Sequence, residues 1–231
     1  MHSTAIKNAD LFFQKYTNKH KINSIVVDIG SQNVNGSLRE ICPKNMKYIG
    51  VDFSSGNGVD IVLDDPYELP FDNGQVDYCI CSSVFEHSEM FWLLFLEILR
   101  ILKPDGLFYL NVPSNGHFHR YPVDCWRFYP DSGKALVKWA KKCGFNPILL
   151  ESFVSLQEPP HKWNDFVAIF LKNADYAANY NQRITGSFKN FYNALTFESE
   201  KFINFTQLTE DQAKIDMFHR IIEGELVIKW Y

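Results

Sequence analysis

The eleven residues VVDIGSQNVNG, Val26 to Gly36, decide how the chain is to be read. A β-branched run ends in an acid and a glycine, the pattern of a buried parallel strand that delivers its chain to a ligand. The glycine expected two positions after Gly30 is replaced by Gln32. A side chain there bars the close backbone approach that a dinucleotide pyrophosphate needs. The loop therefore suits a ligand without a pyrophosphate better than a dinucleotide.

Outward from this strand the pattern repeats. YIGVDF and DIVLD are short, apolar and end in aspartate. A turn at Asp72–Asn73–Gly74 precedes a fourth strand, Tyr78 to Ser82, and LFYLNVP, NPILLESFVSL and DFVAIFLK read as a fifth, sixth and seventh. Helical spacing covers residues 5–16, with Phe12, Phe13 and Tyr16 on one stripe, and also Ser88 to Leu102, closed by KPDG, and Asp131 to Cys143. Strands alternating with helices predict an α/β, Rossmann-like, seven-stranded and mostly parallel sheet flanked by helices. Between Phe53 and Ile61 the chain is too short for a crossover helix, so one helix of the pattern is missing.

Beyond residue 173 the character changes. There is no proline, and Phe188, Phe191, Tyr192 and Leu195 recur at helical spacing. The reading is a domain over 1–173 and a helical appendage over 174–231, with TEDQ capping a helix from about Glu210 to Glu223 and ELVIKWY as a possible last strand. Its aromatics need cover, so the appendage is expected to act as a lid or a homodimer contact.

Composition limits the partners. A net charge of −4 over 231 residues leaves no basic footprint for nucleic acid. The most apolar stretch, MFWLLFLEIL, is interrupted by Glu97 and far too short to span a membrane. Five cysteines without paired spacing suit a reducing, cytoplasmic compartment, and Cys79 and Cys81 should face one side of a strand as buried thiols.

In a doubly wound sheet, ligands bind outside the carboxyl ends of the strands, where Asp28, Asp52 and Asp65 all sit. Asp52 follows Gly30 by 22 positions, at the end of the second strand, where an acid can accept from ribose hydroxyls. Together VVDIGSQNVNG, YIGVDF, LDDPYELPFDNGQVDYCICSSVFEH and LRILKPDGLFYLNVPS resemble, in order and spacing, the motifs of class I S-adenosylmethionine-dependent methyltransferases, near the type 11-like group acting on small molecules and glycans. The resemblance spans roughly residues 24 to 171. It implies that Asp28 and Gly30 form the turn under the methionine part of the cofactor, with Gln32 beside it. Asp52 would take the ribose, Asp65 with the Pro66 segment would border the adenine, and Phe53, Ser82 and His87 would be further cofactor-binding residues. A non-enzymatic adenosylmethionine-binding module is the second reading. An NAD-dependent oxidoreductase is the third, disfavoured by Gln32.

The acceptor should meet NGHFHRYPVDCWRFYPDSG, a long connection after the fifth strand. Its flat faces and directed polar groups are those of a pocket, with Arg120, Tyr121, Trp126 and Arg127 as acceptor contacts. A sulfonium methyl is already activated, so catalysis is chiefly alignment. A hydroxyl acceptor also needs a base, for which His117 or His119, oriented by Asp124, is the candidate. The expected acceptor is a small molecule or glycan, with O-methylation of a sugar or sugar nucleotide favoured. His117, His119 and Asp124 are metal-ligand types, but no further ligand lies close in sequence, and no metal is expected.

Overall fold

The computed structural model describes residues 2–17, 22–160 and 162–227. Among them one sheet contains β1 (Ile25–Ile29), β2 (Lys47–Asp52), β3 (Ile61–Val62), β4 (Val76–Ser82), β5 (Leu102–Pro113), β6 (Ile148–Ser155), β7 (Asp165–Leu171), β8 (Phe191–Thr196) and β9 (Ser199–Ile203). Four α-helices accompany it: α1 (Ser3–Tyr16), α2 (Phe91–Ile101), α3 (Ser132–Lys142) and α4 (Glu210–Ile222). The spatial order is β3-β2-β1-β4-β5-β7-β6-β8-β9.

The α/β Rossmann-like class is as expected, but the sheet has nine strands rather than seven and is mixed. From β3 to β5 every pairing is parallel, and from β5 to β9 every pairing is antiparallel. The reason lies in the links. No helix separates β6 from β7, so the chain turns back and β7 inserts between β5 and β6. Between β2 and β3 the helix is absent, as the short spacing requires. Asp60 closes that link, its N–H donating to Gly50 O at 2.8 Å and its carboxylate accepting from Gly50 N at 2.7 Å.

Strand alternation divides the core in two. Val27, Ile29, Cys79, Cys81, Phe108 and Leu110 face α2 and α3 through Leu94, Phe95, Ile98 and Leu136. Val26, Tyr78, Ile80, Leu107 and Tyr109 face α1 through Ala9, Phe12, Phe13 and Tyr16. The three aromatics of α1 are buried, and each contributes about 1.5–3 kcal/mol through the area it removes from water. All five cysteines are unpaired, and burial pushes the Cys79 and Cys81 thiols up, which leaves them unreactive.

Two boundaries differ from expectation. The helix expected from Ser88 begins at Phe91, because Phe85–His87 forms a 3-10 turn first and Met90 N donates to Tyr67 Oη at 3.1 Å. KPDG does not end α2 with a turn. Val76 pairs with Leu102 and Tyr78 with Leu107, so Lys103–Gly106 is looped out of a strand already begun.

The tail is not a helical appendage, and residue 173 marks no break in the sheet. Phe191, Tyr192 and Leu195 lie in β8, which pairs with β6. The helical spacing is the imprint of a bulge. Val154 faces Tyr192 and Ser152 faces Leu195, so three steps oppose two, with Asn193 in the left-handed region at φ 48°. Among the described residues the tail's helical parts are two 3-10 segments, Ala174–Asn179 and Ile184–Gly186, and α4, whose Thr209 Oγ1 accepts from Gln212 N at 3.3 Å. Glu225–Val227 are irregular, and the remainder of ELVIKWY lies outside the described residues.

A buried acid ties this tail down. Glu151 of β6, fully buried, accepts from Tyr16 Oη at 2.5 Å, Ile184 N at 2.6 Å, Thr185 N at 3.1 Å and Thr185 Oγ1 at 2.8 Å. One carboxylate thus joins α1, the sheet and the segment leading to β8. Among the described residues no helix is long and apolar enough to cross a membrane.

Candidate active site

A cavity of about 720 Å³ opens at the carboxyl ends of the parallel strands, where the strand order reverses between β1 and β4. That size suits a small-molecule site. Because β7 runs against its neighbours, its first residue, Asp165, also reaches this edge and lines the cavity.

The turn after β1 forms one wall. Gly30 adopts φ 78°, and a Cβ there would lie 2.2 Å from Val84 Cγ2, so glycine is required for both conformation and space. Gly30 N and Ser31 N donate to Val51 O at 2.9 and 3.1 Å, which fixes the loop against β2. Asp52 is buried at the cavity edge and accepts from Gln32 N at 3.2 Å and Ser54 N at 3.1 Å. Phe53, half exposed, lies beside it. Leu63, Pro66 and Tyr67 make an apolar wall beyond.

Of the predicted cofactor residues, Gly30, Gln32, Asp52, Phe53, Pro66, Ser82 and His87 line the cavity; Asp28 and Asp65 do not. Asp28 points to the α1 side of the sheet and accepts a hydrogen bond from Tyr48 Oη, with Arg39 stacked 4.4 Å from the Tyr48 ring centroid. Burial pushes its carboxyl up to about 7. Asp65 accepts from Tyr67 N at 2.8 Å and faces the opposite side of its turn. Sequence reading missed Leu63 and Tyr67, although both flank the motif it used.

The connection after β5 forms the other end. His119, Arg120, Tyr121 and Val123 line it, and Tyr121 Oη donates to Gln32 Oε1 at 3.3 Å across the mouth. His117, Asp124, Trp126 and Arg127 are not among the lining residues. Arg127 grips Asp124 with two bonds of 2.6 and 2.9 Å and also donates to His117 O at 2.8 Å, so this arginine staples the loop instead of facing the cavity. That pairing holds Asp124 down to about 2. Trp126 donates to Ser88 O at 2.9 Å and packs edge-on against Phe91 and Trp92. His117 packs on Trp163, ring centroids 5.1 Å apart.

Across from the loop stands a group that sequence distance had hidden. Glu86 is 1 % exposed, its Oε1 lies 3.7 Å from His87 Nε2, and its Oε2 has no hydrogen-bond partner among the described residues. Burial pushes Glu86 up to about 8 and holds His87 below its ordinary value. The His119 ring meets His87 edge-on, centroids 4.9 Å apart. Cys125 N and Trp126 N donate to Glu86 O at 2.7 and 3.3 Å, so the loop is bolted to the turn that carries the acid.

A cavity at the switch point of a doubly wound sheet, with a carboxylate at the end of β2, is the arrangement that the sequence resemblance implies. Residues 13–110 match the model of the methyltransferase domain family. Over these residues the chain is similar to the class I S-adenosylmethionine-dependent methyltransferases. An uncharacterized methyltransferase of Mycobacterium tuberculosis is 36% identical over 80 residues, 32% of this chain and 31% of that one. One of Mycolicibacterium gilvum is 43% identical over 54 residues, 21% of each chain. The matched part is thus less than a third of the length of these curated relatives. The fold is similar to that of a Burkholderia thailandensis 1,6-didemethyltoxoflavin-N1-methyltransferase solved with its acceptor and S-adenosylhomocysteine. The TM-score is 0.54 at 14% identity, covering 73% of this chain and 78% of that one.

The residues present fit an adenosyl donor. Asp52 lines the cavity with each oxygen accepting only one backbone N–H, and the buried Oγ of Ser82, a lining residue, lacks a partner among the described residues.

Proposed function

We propose that this chain transfers a methyl group from S-adenosylmethionine to a hydroxyl of a small polar acceptor, a sugar or sugar nucleotide being the favoured class. The observation that carries the reading is one cavity with two chemically distinct ends: an apolar slot beside Asp52, and a chamber lined by Glu86, His87, His119, Arg120 and Tyr121. S-adenosylmethionine, when bound, supplies an activated sulfonium methyl. Asp52 accepts from the ribose hydroxyls, while Phe53, Leu63, Pro66 and Tyr67 enclose the adenine. Tyr121 and Arg120 orient the acceptor, and its proton leaves toward the Glu86, His87 and His119 group. Asp124 and Arg127 position His119, and His117 stays outside the reaction. Holding the acceptor in line is the main contribution to rate.

Asp52→Ala should weaken S-adenosylhomocysteine binding by about 1.5–3 kcal/mol, the scale of hydrogen bonds to a charged group. Calorimetric titration of the folded variant measures it, and an unchanged dissociation constant counts against the cofactor placement. For the acceptor, a screen with labelled methyl donor across sugar nucleotides, small acids, amines and phenols decides. Selective labelling of a phenol or an amine, with none of any sugar, overturns the sugar reading.

The tail is read as a self-association surface and not a lid. Among the described residues none beyond Asp165 lines the cavity, whereas Ile215, Met217, Phe218 and Ile222 of α4 are exposed. Unpaired cysteines, two of them inside the sheet, support a reducing, cytoplasmic setting.

A further inference from the structure

We propose that Glu86, His87 and His119 form a binding site for one divalent first-row cation, zinc by its donor types, at the acceptor end of the cavity. One ligand atom from each of the three lies within 4.8 Å of the other two. Two imidazoles and a carboxylate, with open positions toward a cavity, are a donor set for such ions. All three residues line the chamber, so a bound ion would keep positions free for an acceptor oxygen.

The surrounding bonds orient the ligands as a metal site requires. His87 Nδ1 lies 2.5 Å from Val123 O. Only a protonated nitrogen can bond a carbonyl, so Nε2, the atom facing Glu86, carries the lone pair. His119 Nδ1 lies 3.4 Å from Asp124 Oδ2 and 3.3 Å from His117 O, which leaves its Nε2 for the cation in the carboxylate–histidine–metal manner. Asp124 is itself held by the Arg127 fork and accepts from His119 N at 2.7 Å. The unpartnered Glu86 Oε2 is the second observation pointing to a ligand, because a buried carboxylate oxygen without a donor is costly unless a cation meets it. Asp165, 1 % exposed and also on the cavity wall, stays outside the ligand group and faces His2 Nε2 at 3.3 Å.

The inference deepens the proposed function, since an ion placed there would polarise the acceptor hydroxyl, whose proton would leave to the Glu86 oxygen not bound to the ion. Its test is independent of turnover. The full-length chain, with the exposed Cys125 and Cys143 replaced by serine, is stripped of metal and titrated with Co²⁺ as a spectroscopic probe, then competed with Zn²⁺. One equivalent should bind and give ligand-field bands of a nitrogen- and oxygen-ligated ion, and zinc should displace it. Glu86→Gln and His119→Asn should each lower cobalt affinity at least about tenfold, since even outer-shell partners of metal ligands are worth that much. His117→Ala should leave the affinity unchanged. Absence of a saturable one-equivalent site, or its survival in both ligand variants, overturns the proposal. S-adenosylhomocysteine titration of the same samples reports on folding and cofactor binding separately. Cobalt binding without nucleoside binding would sink the cofactor placement and leave the metal site standing.

Discussion

Replacing Glu151 by leucine should lower the free energy of unfolding by about 3–5 kcal/mol, because it strands four buried donors that share one carboxylate. Tyr16 Oη, Ile184 N and Thr185 N all point at this carboxylate from two directions, and Thr185 Oγ1 adds a fourth bond. Leucine fills the space and accepts nothing. Glu151→Gln keeps an acceptor and should cost visibly less. The loss should also be local in its first effect, since the stranded groups belong to α1 and to the segment before β8. Denaturant unfolding gives the magnitude, and limited proteolysis of residues 174–203 gives the location. A loss below about 1 kcal/mol would mean that the donors find water or other acceptors.

Stability should fall as pH rises from about 4 toward 7, and Asp28 should be a chief cause. Burial pushes its carboxyl up to about 7, the opposing hydrogen bond from Tyr48 notwithstanding. The native state therefore keeps a proton that the unfolded chain has released, so unfolding gains from every pH unit between the two values. At about 1.4 kcal/mol per unit, the wild type should lose about 4 kcal/mol relative to Asp28→Asn across that window, and no more above it. Asparagine retains a carbonyl for Tyr48. Parallel pH profiles for the two proteins would show that Asp28 ionises normally.

The part of the fold written in local patterns was readable: β1 to β7 follow from short apolar runs, and α1, α3 and α4 from helical stripes and a Thr209 cap. What escaped was set by pairing. The direction of β7 depends on the missing helix before it, and the bulge at Asn193 gave β8 the spacing of a helix. The site divides in the same way. Asp52, Gly30 and Gln32 were legible because a strand end fixes where such residues lie. Asp28 and Asp65 occupy equivalent-looking ends, yet side-chain parity turns one to the far face of the sheet and a tight turn diverts the other. Arg127 reads as an acceptor contact because the pattern shows charges but not their partners, and here it grips Asp124, which in turn faces His119. Glu86 and His119 are 33 positions apart in the chain, so nothing local announces that they meet.

The reversed direction of β7 also has a consequence in time. The walls that would hold the nucleoside come from residues 29 to 67 and the segment after β4, and their strands pair within the first part of the chain. Trp163, just before β7, and Asp165, its first residue, come from the last of the central strands in the chain, which lies between β5 and β6. During synthesis, the residues around Asp52 therefore leave the ribosome well before Trp163 and Asp165. β7 pairs with β6 across a short connection, so the two meet β5 as a hairpin and bring that part of the wall with them. The order in which the ribosome releases the chain thus separates the two halves of the cavity.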